Sequence, residues 1–367
     1  MIGSILIFLV VLSILVLVHE LGHFIVARRS GVLIEEFGFG IPPRIFAVKA
    51  GETLYSLNLL PFGGFVKLHG ETTEEGVSYP NRAFLNKSKK VRTSILVAGV
   101  LMNFILAIFA FAVVYSFSGI PKDTGRVKVV EVTSGSPAQV SGIIVGDIVN
   151  LVDGKSVTKV SDFVELVEAK KGSKVAIEIE RNGEIKKLTL SPRESPPEGE
   201  GPLGVTITAT EIYYPPPLVR PFVGIYYGFK EALFWGGTII TGLIDIITGL
   251  FKGQAPKDLA GPVGIFVITS EAAKFGILSL VNFVGILSVN LAILNIIPFP
   301  ALDGGRLLFV FIEGILGRKV VPRVEGLIHT IGMIILILLI LAITARDIQR
   351  LISAGGISGF LDNVLSR

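Results

Sequence analysis

Apolar residues run in long blocks through most of this chain, and the places where the blocks break define its plan. A helix needs about twenty mostly apolar residues to cross a bilayer. Four stretches meet that length, 4–27, 93–118, 278–303 and 326–345, and they predict four transmembrane helices. A fifth apolar stretch, 222–251, carries Lys230, Glu231, Asp245 and frequent glycine. A fifth span is one reading of it; the preferred one is an amphipathic helix along the outer membrane surface, within a connecting region covering 214–277.

Between the first two spans, residues 28–92 hold ten Lys or Arg, which marks the segment as cytoplasmic. The first span then runs from outside to inside. It lacks a basic n-region and carries polar residues deep in its run, so it reads as a retained anchor and not as a signal peptide. Inside the 28–92 segment, Phe37–Gly40, Leu54–Leu60 and 62–67 read as short strands separated by glycine and proline turns. They predict a membrane-associated β-hairpin. Strand edges cannot face lipid, so such a hairpin must line a cavity.

From 122 to 213 the pattern becomes that of a soluble domain. Val127–Val132 is a strand, Ser136-Pro137-Ala138 opens a short helix, and residues 162–170 form an amphipathic helix. Lys174–Arg181 and Glu184–Leu190 pair across Asn182-Gly183, a type I′ turn signal. An α+β domain is thus inserted between the second and third spans, with the acidic, proline-rich 194–202 as a loop.

Composition agrees with the membrane plan: half of the residues are hydrophobic and only 17% are charged, where soluble domains carry nearer a quarter. The net charge of +4 comes with no basic and aromatic stripe, so nucleic acid is not an expected partner. The absence of cysteine excludes disulfides, thiolate ligands and a cysteine nucleophile. Only four histidines exist, His19, His23, His69 and His329, so a metal site must draw on these and on carboxylates.

His19, Glu20 and His23 form H-E-x-x-H inside the first span. On a helix the two imidazoles lie one turn apart on one face and can share a metal ion. Glu20, beside the first ligand, can act as general base toward a metal-activated water. Charged groups at membrane depth are expensive and usually functional. Asp303 is the expected third ligand, because a third span running outside to inside delivers it at the depth of the histidine pair. His69 and His329 are the rivals, and a turn role before Gly304-Gly305 is the alternative reading of Asp303. Asn290, Asn295, Pro298 and Pro300 loosen the third span beside the site and offer amides and freed carbonyls for gripping an extended substrate. Gly63 and Gly64 lie in the hairpin that would hold that substrate as an added strand. Asn103, in the second span, reads as helix–helix glue.

Together, His19 to His23 and the run Asn295-x-x-Pro298-x-Pro300-x-Leu302-Asp303-Gly304-Gly305 resemble the site-2 protease group of intramembrane zinc metalloproteases, in particular its bacterial RseP-type members. Lesser matches are Phe39-Gly40, 61–67, Asn103 and Gly261–Ile265. The segment Ser136–Ile148 resembles a bacterial PDZ domain, whose peptide-binding loop and strand would be Pro202–Ile207. Many relatives carry two PDZ domains; this chain has room for one. The resemblance implies Zn²⁺ held by His19, His23 and Asp303, with Glu20 as general base. It implies membrane-protein substrates with a single transmembrane segment, such as shortened anti-sigma factors or remnant signal peptides. Peptide C-termini would bind near Leu203 and Gly204, or the domain would serve only as a size filter or spacer without a peptide ligand. The location implied is the bacterial cytoplasmic (inner) membrane, with the PDZ domain extracytoplasmic and the active site near the cytoplasmic face. Competing readings are a membrane-anchored PDZ adaptor with a dead site, a metal transporter, and a metalloprotease for soluble peptides. The adaptor predicts loss of Glu20 or Asp303, and neither is lost.

Overall fold

The first apolar run folds as one unbroken helix, α1 (Ile2–Arg29), in the computed structural model, which describes residues 2–71, 77–197, 199–253, 260–356 and 359. Residues 72–76 of the basic segment, 198 of the proline-rich loop and 254–259 of the connecting region therefore lie outside the described residues. Arg28 and Arg29 occupy the last turn of α1, where cations suit the helix dipole. Gly31 then takes a left-handed φ of +68°, and the Val32 N–H donates to Ala27 O at 3.0 Å, which closes the helix end.

The chain next forms two long antiparallel strands, β1 (Ile34–Ala50) and β2 (Thr53–Leu68), where the sequence suggested short separate ones. Each strand bends midway. Phe37 therefore pairs with Val66 on one side and Tyr55 on the other, leaving 44–50 and 64–68 as outer segments. Asn58 braces the bend, its Nδ2 donating to Phe39 O at 3.1 Å and Gly40 O at 3.2 Å.

Helix α2 (Lys89–Ser118) follows. After the insert come α5 (Arg220–Phe251), α6 (Pro262–Lys274), α7 (Ile277–Ile296), α8 (Asp303–Leu316) and α9 (Pro322–Ser353). Among the described residues, α1, α2, α5, α7 and α9 are long and apolar enough to cross a membrane. The third apolar stretch does not stay helical through to Asp303. Pro298 and Pro300 cannot donate to an α-helical ladder, so α7 stops at Ile296 and α8 begins afresh at Asp303. Helix α8 occupies most of the stretch between the third and fourth apolar runs.

Direction is legible from the packing. Gly22 meets Ala98 and His19 meets Asn103, so α1 and α2 are antiparallel. Asn103 O accepts from Ser288 Oγ while Phe111 lies over Gly285, so α2 and α7 are also antiparallel. Consequently α1 and α7 run the same way. On α5, Gly224 and Gly228 pack against Ser116, Ala112 and Ile108 of α2, again antiparallel. A cluster of buried side chains, Ala27, Ile34, Leu68, Ile95, Leu96 and Val310, ties the ends of α1, the hairpin, α2 and α8 together. Beside it the buried pair Arg92–Glu313 joins α2 to α8, and Lys89 Nζ donates to Glu313 O at 2.8 Å.

Residues 118–216 form a separate unit. Its antiparallel strands β3 (Ile120–Val132), β4 (Ile148–Val152), β5 (Lys155–Ser156), β6 (Val175–Arg181), β7 (Glu184–Leu190) and β8 (Val205–Tyr213) are ordered β7-β6-β4-β3-β8, with β5 on β4. Helices α3 (Pro137–Val140) and α4 (Val160–Glu168) complete the unit. Alternate residues Val127, Val129, Ile177 and Ile179 fill its core with Phe163 and Leu203, and the last strand in sequence forms one sheet edge. Asp147, fully buried, accepts from Arg181 Nε at 2.7 Å and Ile144 N–H at 2.9 Å. Burial pushes its pKa up, but Arg181 and that amide outweigh burial and hold it below the ordinary aspartate value.

Candidate metal centre

His19 and His23 face the same side of α1, and their Nε2 atoms lie 3.1 Å apart. Asp303, the first residue of α8, places Oδ2 at 3.0 Å from His19 Nε2 and 3.1 Å from His23 Nε2. Among the described residues this trio is the one group of three or more His, Asp or Glu whose ligand atoms converge, all within 4.8 Å of one another. A tetrahedral zinc with bonds of about 2.0–2.2 Å spaces its ligands roughly 3.3 Å apart. The observed triangle matches that to a few tenths of an ångström.

The donor set fits a cation chemically as well as by size. His23 Nδ1 lies 2.8 Å from Ile95 O. A carbonyl only accepts, so Nδ1 carries the proton and Nε2 offers a lone pair. Asp303 Oδ2 is buried and makes no hydrogen bond of acceptable geometry, although both Nε2 atoms are beside it. On the other imidazole, Asn103 Nδ2 lies 3.4 Å from His19 Nδ1 while Asn103 Oδ1 is buried without a partner. The two ends of an amide are assigned by their surroundings. Turning this one over lets Oδ1 accept the Nδ1 proton, which frees His19 Nε2 for a metal.

The sequence reading took Asn103 as packing glue and passed over Gly99. Gly99 stands four residues before Asn103, on the same face of α2. A Cβ there would lie 2.5 Å from His23 Nε2 and 2.7 Å from His19 Cε1, so only glycine leaves room for the pair. The available signal was the Gly-x-x-x-Asn spacing. Arg306 was also missed as a site neighbour. It follows Asp303 by one turn and pairs with Glu71, which also takes the Leu68 N–H at 3.3 Å and so anchors α8 to the end of β2.

The rival histidines lie elsewhere. His69 Nδ1 pairs with Glu35 at 2.8 Å, and His329 Nδ1 accepts the Ala301 N–H at 2.9 Å. Glu20 is one residue from His19. A Cβ on Gly64 of β2 would stand 3.7 Å from Glu20 Cγ, so the outer hairpin segment passes directly by the general-base candidate. Ser13 Oγ donates to Pro61 O at 3.2 Å and holds β2 along α1. Gly63, beside Gly64 within β2, holds φ +88°. Asn290 and Asn295 are half-buried on α7, while Pro298 is exposed and Pro300 half-buried in the break before α8. In the insert, Leu203 is buried, its carbonyl accepts the Ala138 N–H at 3.2 Å, and the Gly204 N–H donates to Gly201 O at 2.9 Å. Of the two amides expected to receive a chain end, Gly204's is thus already engaged.

Comparison with known proteins adds a second line. Residues 7–339 match Peptidase family M50. A protein of Clostridium acetobutylicum is 36% identical, covering 94% of this chain and 97% of its own length. Zinc metalloprotease RasP of Geobacillus kaustophilus is 32% identical, covering 95% and 98% respectively. Regulator of sigma-W protease RasP of Bacillus subtilis is 28% identical over 95% of this chain and 99% of its own. Among solved structures, the PDZ domain of an SdrC-like protein from Listeria monocytogenes aligns with 24% of this chain and 92% of its own at 21% identity, with a TM-score of 0.21. A complete H-E-x-x-H pair, a carboxylate brought to it by the chain's second motif, and a match across nearly the whole length lead to one conclusion: the chain belongs to peptidase family M50 and is an intramembrane zinc metalloendopeptidase of the site-2 protease type.

Proposed function

We propose that His19, His23 and Asp303 hold the zinc and that Glu20 is the general base for cleavage of peptide bonds in or near transmembrane segments. The observation that carries the assignment is the convergence of three lone-pair donors within 3.1 Å, one of them delivered from a helix nearly three hundred residues away. Zinc, when bound, supplies a Lewis acid for the scissile carbonyl and makes water easier to ionise. Glu20 takes a proton from the attacking water and passes it to the leaving amine as the C–N bond breaks. Asn103 and Ile95 O fix the imidazole tautomers so that both Nε2 atoms stay free of protons.

A transmembrane helix hides its carbonyls, so the substrate must be drawn out as an extended strand. The 64–68 segment of β2 is an outer segment of the hairpin and runs past Glu20, which supports strand addition there, with Gly63 and Gly64 allowing close backbone approach. Asn290 and Asn295 of α7, with Pro298 and Pro300 in the break before Asp303, would grip the unwound end. Membrane proteins with one spanning segment, anti-sigma factors among them, are the substrate class that fits, in keeping with the sigma-W regulator among the relatives.

Four full spans fit the parity of α1, α2 and α7, with α5 packed antiparallel beside α2 over Gly224 and Gly228 and entering from the same side as the insert. Helices α1 and α7 are parallel, and α2 is antiparallel to both, so the stretch from α2 to α7 leaves and returns on one side. Helix α6 has 13 residues. At about 1.5 Å per residue it is too short to cross a core of about 30 Å, so α5 as a lone extra crossing would break the parity. The basic residues of 28–92 favour a cytoplasmic hairpin and metal site in the inner membrane, and an extracytoplasmic insert. That insert's PDZ-like sequence suits capture of a peptide C-terminus at Leu203, with Gly204 requiring release of its turn.

The test is cleavage of a tagged single-span substrate together with metal analysis. Glu20→Gln should abolish cleavage and keep zinc; Asp303→Asn should weaken zinc binding. Normal cleavage by both variants would overturn the assignment.

A further inference from the structure

Ala301, two residues before Asp303, holds a left-handed φ of +82°. A residue with a Cβ keeps that conformation only where its surroundings enforce it. The enforcement comes from α9. The Ala301 N–H donates to His329 Nδ1 at 2.9 Å. One turn along, Gly332 faces Pro300. A Cβ on Gly332 would lie 2.3 Å from Pro300 Cβ and 2.7 Å from its carbonyl carbon and oxygen. His329 and Gly332 are three apart, so they share one face of the helix. His329 also packs on Phe309 of α8, with ring centroids 5.6 Å apart. Two contacts therefore clamp the turn between α7 and α8 against α9, and a third holds α8 itself to that helix.

The chemistry of His329 excludes the bland alternative of a solvated histidine. Its Nδ1 receives a proton donor, so that nitrogen presents a lone pair and the ring proton sits on Nε2. Nε2 is buried without a hydrogen-bond partner, and Glu325 Oε1 is 3.9 Å away. Most of the large side chains on α9 after this point, from Ile334 to Leu341, are exposed and apolar. A polar ring placed among them, facing inward, is the kind of residue a membrane helix keeps for a specific task.

We propose that His329 and Gly332 form a brace that holds Pro300-Ala301 in its left-handed turn and thereby sets the position of Asp303. His329 is then a positioning residue of the metal centre and not a ligand. The inference rests on the reading of Asp303 as a zinc ligand. Outer groups that orient a ligand are worth about ten- to a hundredfold in metal affinity.

The test uses the full-length protein in detergent, with zinc affinity read by chelator competition and site geometry read from the visible spectrum of the cobalt(II)-substituted form. His329→Leu removes the acceptor and should weaken zinc about ten- to a hundredfold, with shifted cobalt bands. His329→Gln keeps an acceptor and should recover most of the affinity. Ala301→Gly added to His329→Leu should also recover part of it, because glycine adopts the left-handed turn without help. Should His329→Leu fail to fold, Gly332→Ala carries the test, since its Cβ displaces Pro300 and should lower affinity in the same way. Wild-type affinity and spectrum in His329→Leu, or in Gly332→Ala, overturns the brace, as does a His329→Gln variant no better than Leu. Unchanged zinc affinity in Asp303→Asn overturns the ligand reading instead, and the brace with it.

Discussion

His23 Nδ1 lies 2.8 Å from the carbonyl oxygen of Ile95, so a backbone atom of α2 decides which nitrogen of an α1 histidine is free to bind metal. The Ile95 oxygen accepts from the His23 Nδ1–H, and with two lone pairs it can do so without leaving its own helix; it reaches α1 because Gly22 and Gly99 let the two helices close on each other. At Gly22 a Cβ would stand 2.3 Å from Ala98 O. The candidate metal site is therefore built on the contact between two helices, and its precision depends on that contact remaining tight.

Gly99→Ala tests the dependence directly. The added methyl meets both imidazoles, and zinc affinity should fall about ten- to a hundredfold, with cleavage falling in step. Leu101→Ala, on the exposed side of the same helix, is the matched control and should leave zinc affinity unchanged. Chelator competition on the two purified variants reads the difference.

The pair Arg92–Glu313 is buried on both sides, with side-chain exposures of 4% and 2%. Removing one partner strands a charge, which costs about 3–5 kcal/mol, whereas replacing both with apolar residues can be near neutral. Arg92→Met and Glu313→Leu should each lower the melting temperature markedly. The double variant should recover most of the loss. A double variant as unstable as the sum of the singles would show that the ion pair contributes nothing specific.

In the insert, Asp147 titrates below the ordinary aspartate value because Arg181 and the Ile144 amide stabilise its charge. A folded pKa below the unfolded one, about 3.9, stabilises the fold fully above that value. The contribution is lost as pH falls through the folded pKa. Hydrogen exchange of the β4 and β6 amides should therefore accelerate steeply below about pH 4. In Asp147→Asn the same amides should exchange faster at neutral pH and lose that part of the acid dependence.

Leu57 sits mid-ladder in β2, opposite both Phe39 and Phe46. Leu57→Pro removes a strand donor and should disturb the outer segment that passes Glu20. Cleavage of a single-span substrate should drop while zinc content stays at the wild-type level. Loss of zinc together with activity would instead mean that the hairpin supports the metal site itself.

Cleavage should also stop on treatment with a strong zinc chelator and return when zinc is added back. Glu20→Gln should show no activity before or after the same cycle while rebinding zinc normally. Rebinding is followed by metal analysis.

Much of this was legible in the residues alone. The long apolar helices followed from run length, because a bilayer core fixes how many apolar residues a helix needs. H-E-x-x-H follows from helical geometry, since four residues make one turn and one face, and the shortage of histidines narrowed the choice of a third ligand. Local rules reach no further than that. The sequence did not say that α7 ends at Ile296, because proline permits either a kink or a stop and the surroundings choose. It gave Gly99 no role, because a missing side chain matters only through what approaches it. His329 looked like a weak rival ligand until packing set it against the Ala301 amide. What the chain determined by itself was the set of groups able to bind zinc and move a proton. Tertiary structure decided their tautomers, their clearances and the turn that delivers Asp303, because these depend on contacts between segments far apart in sequence.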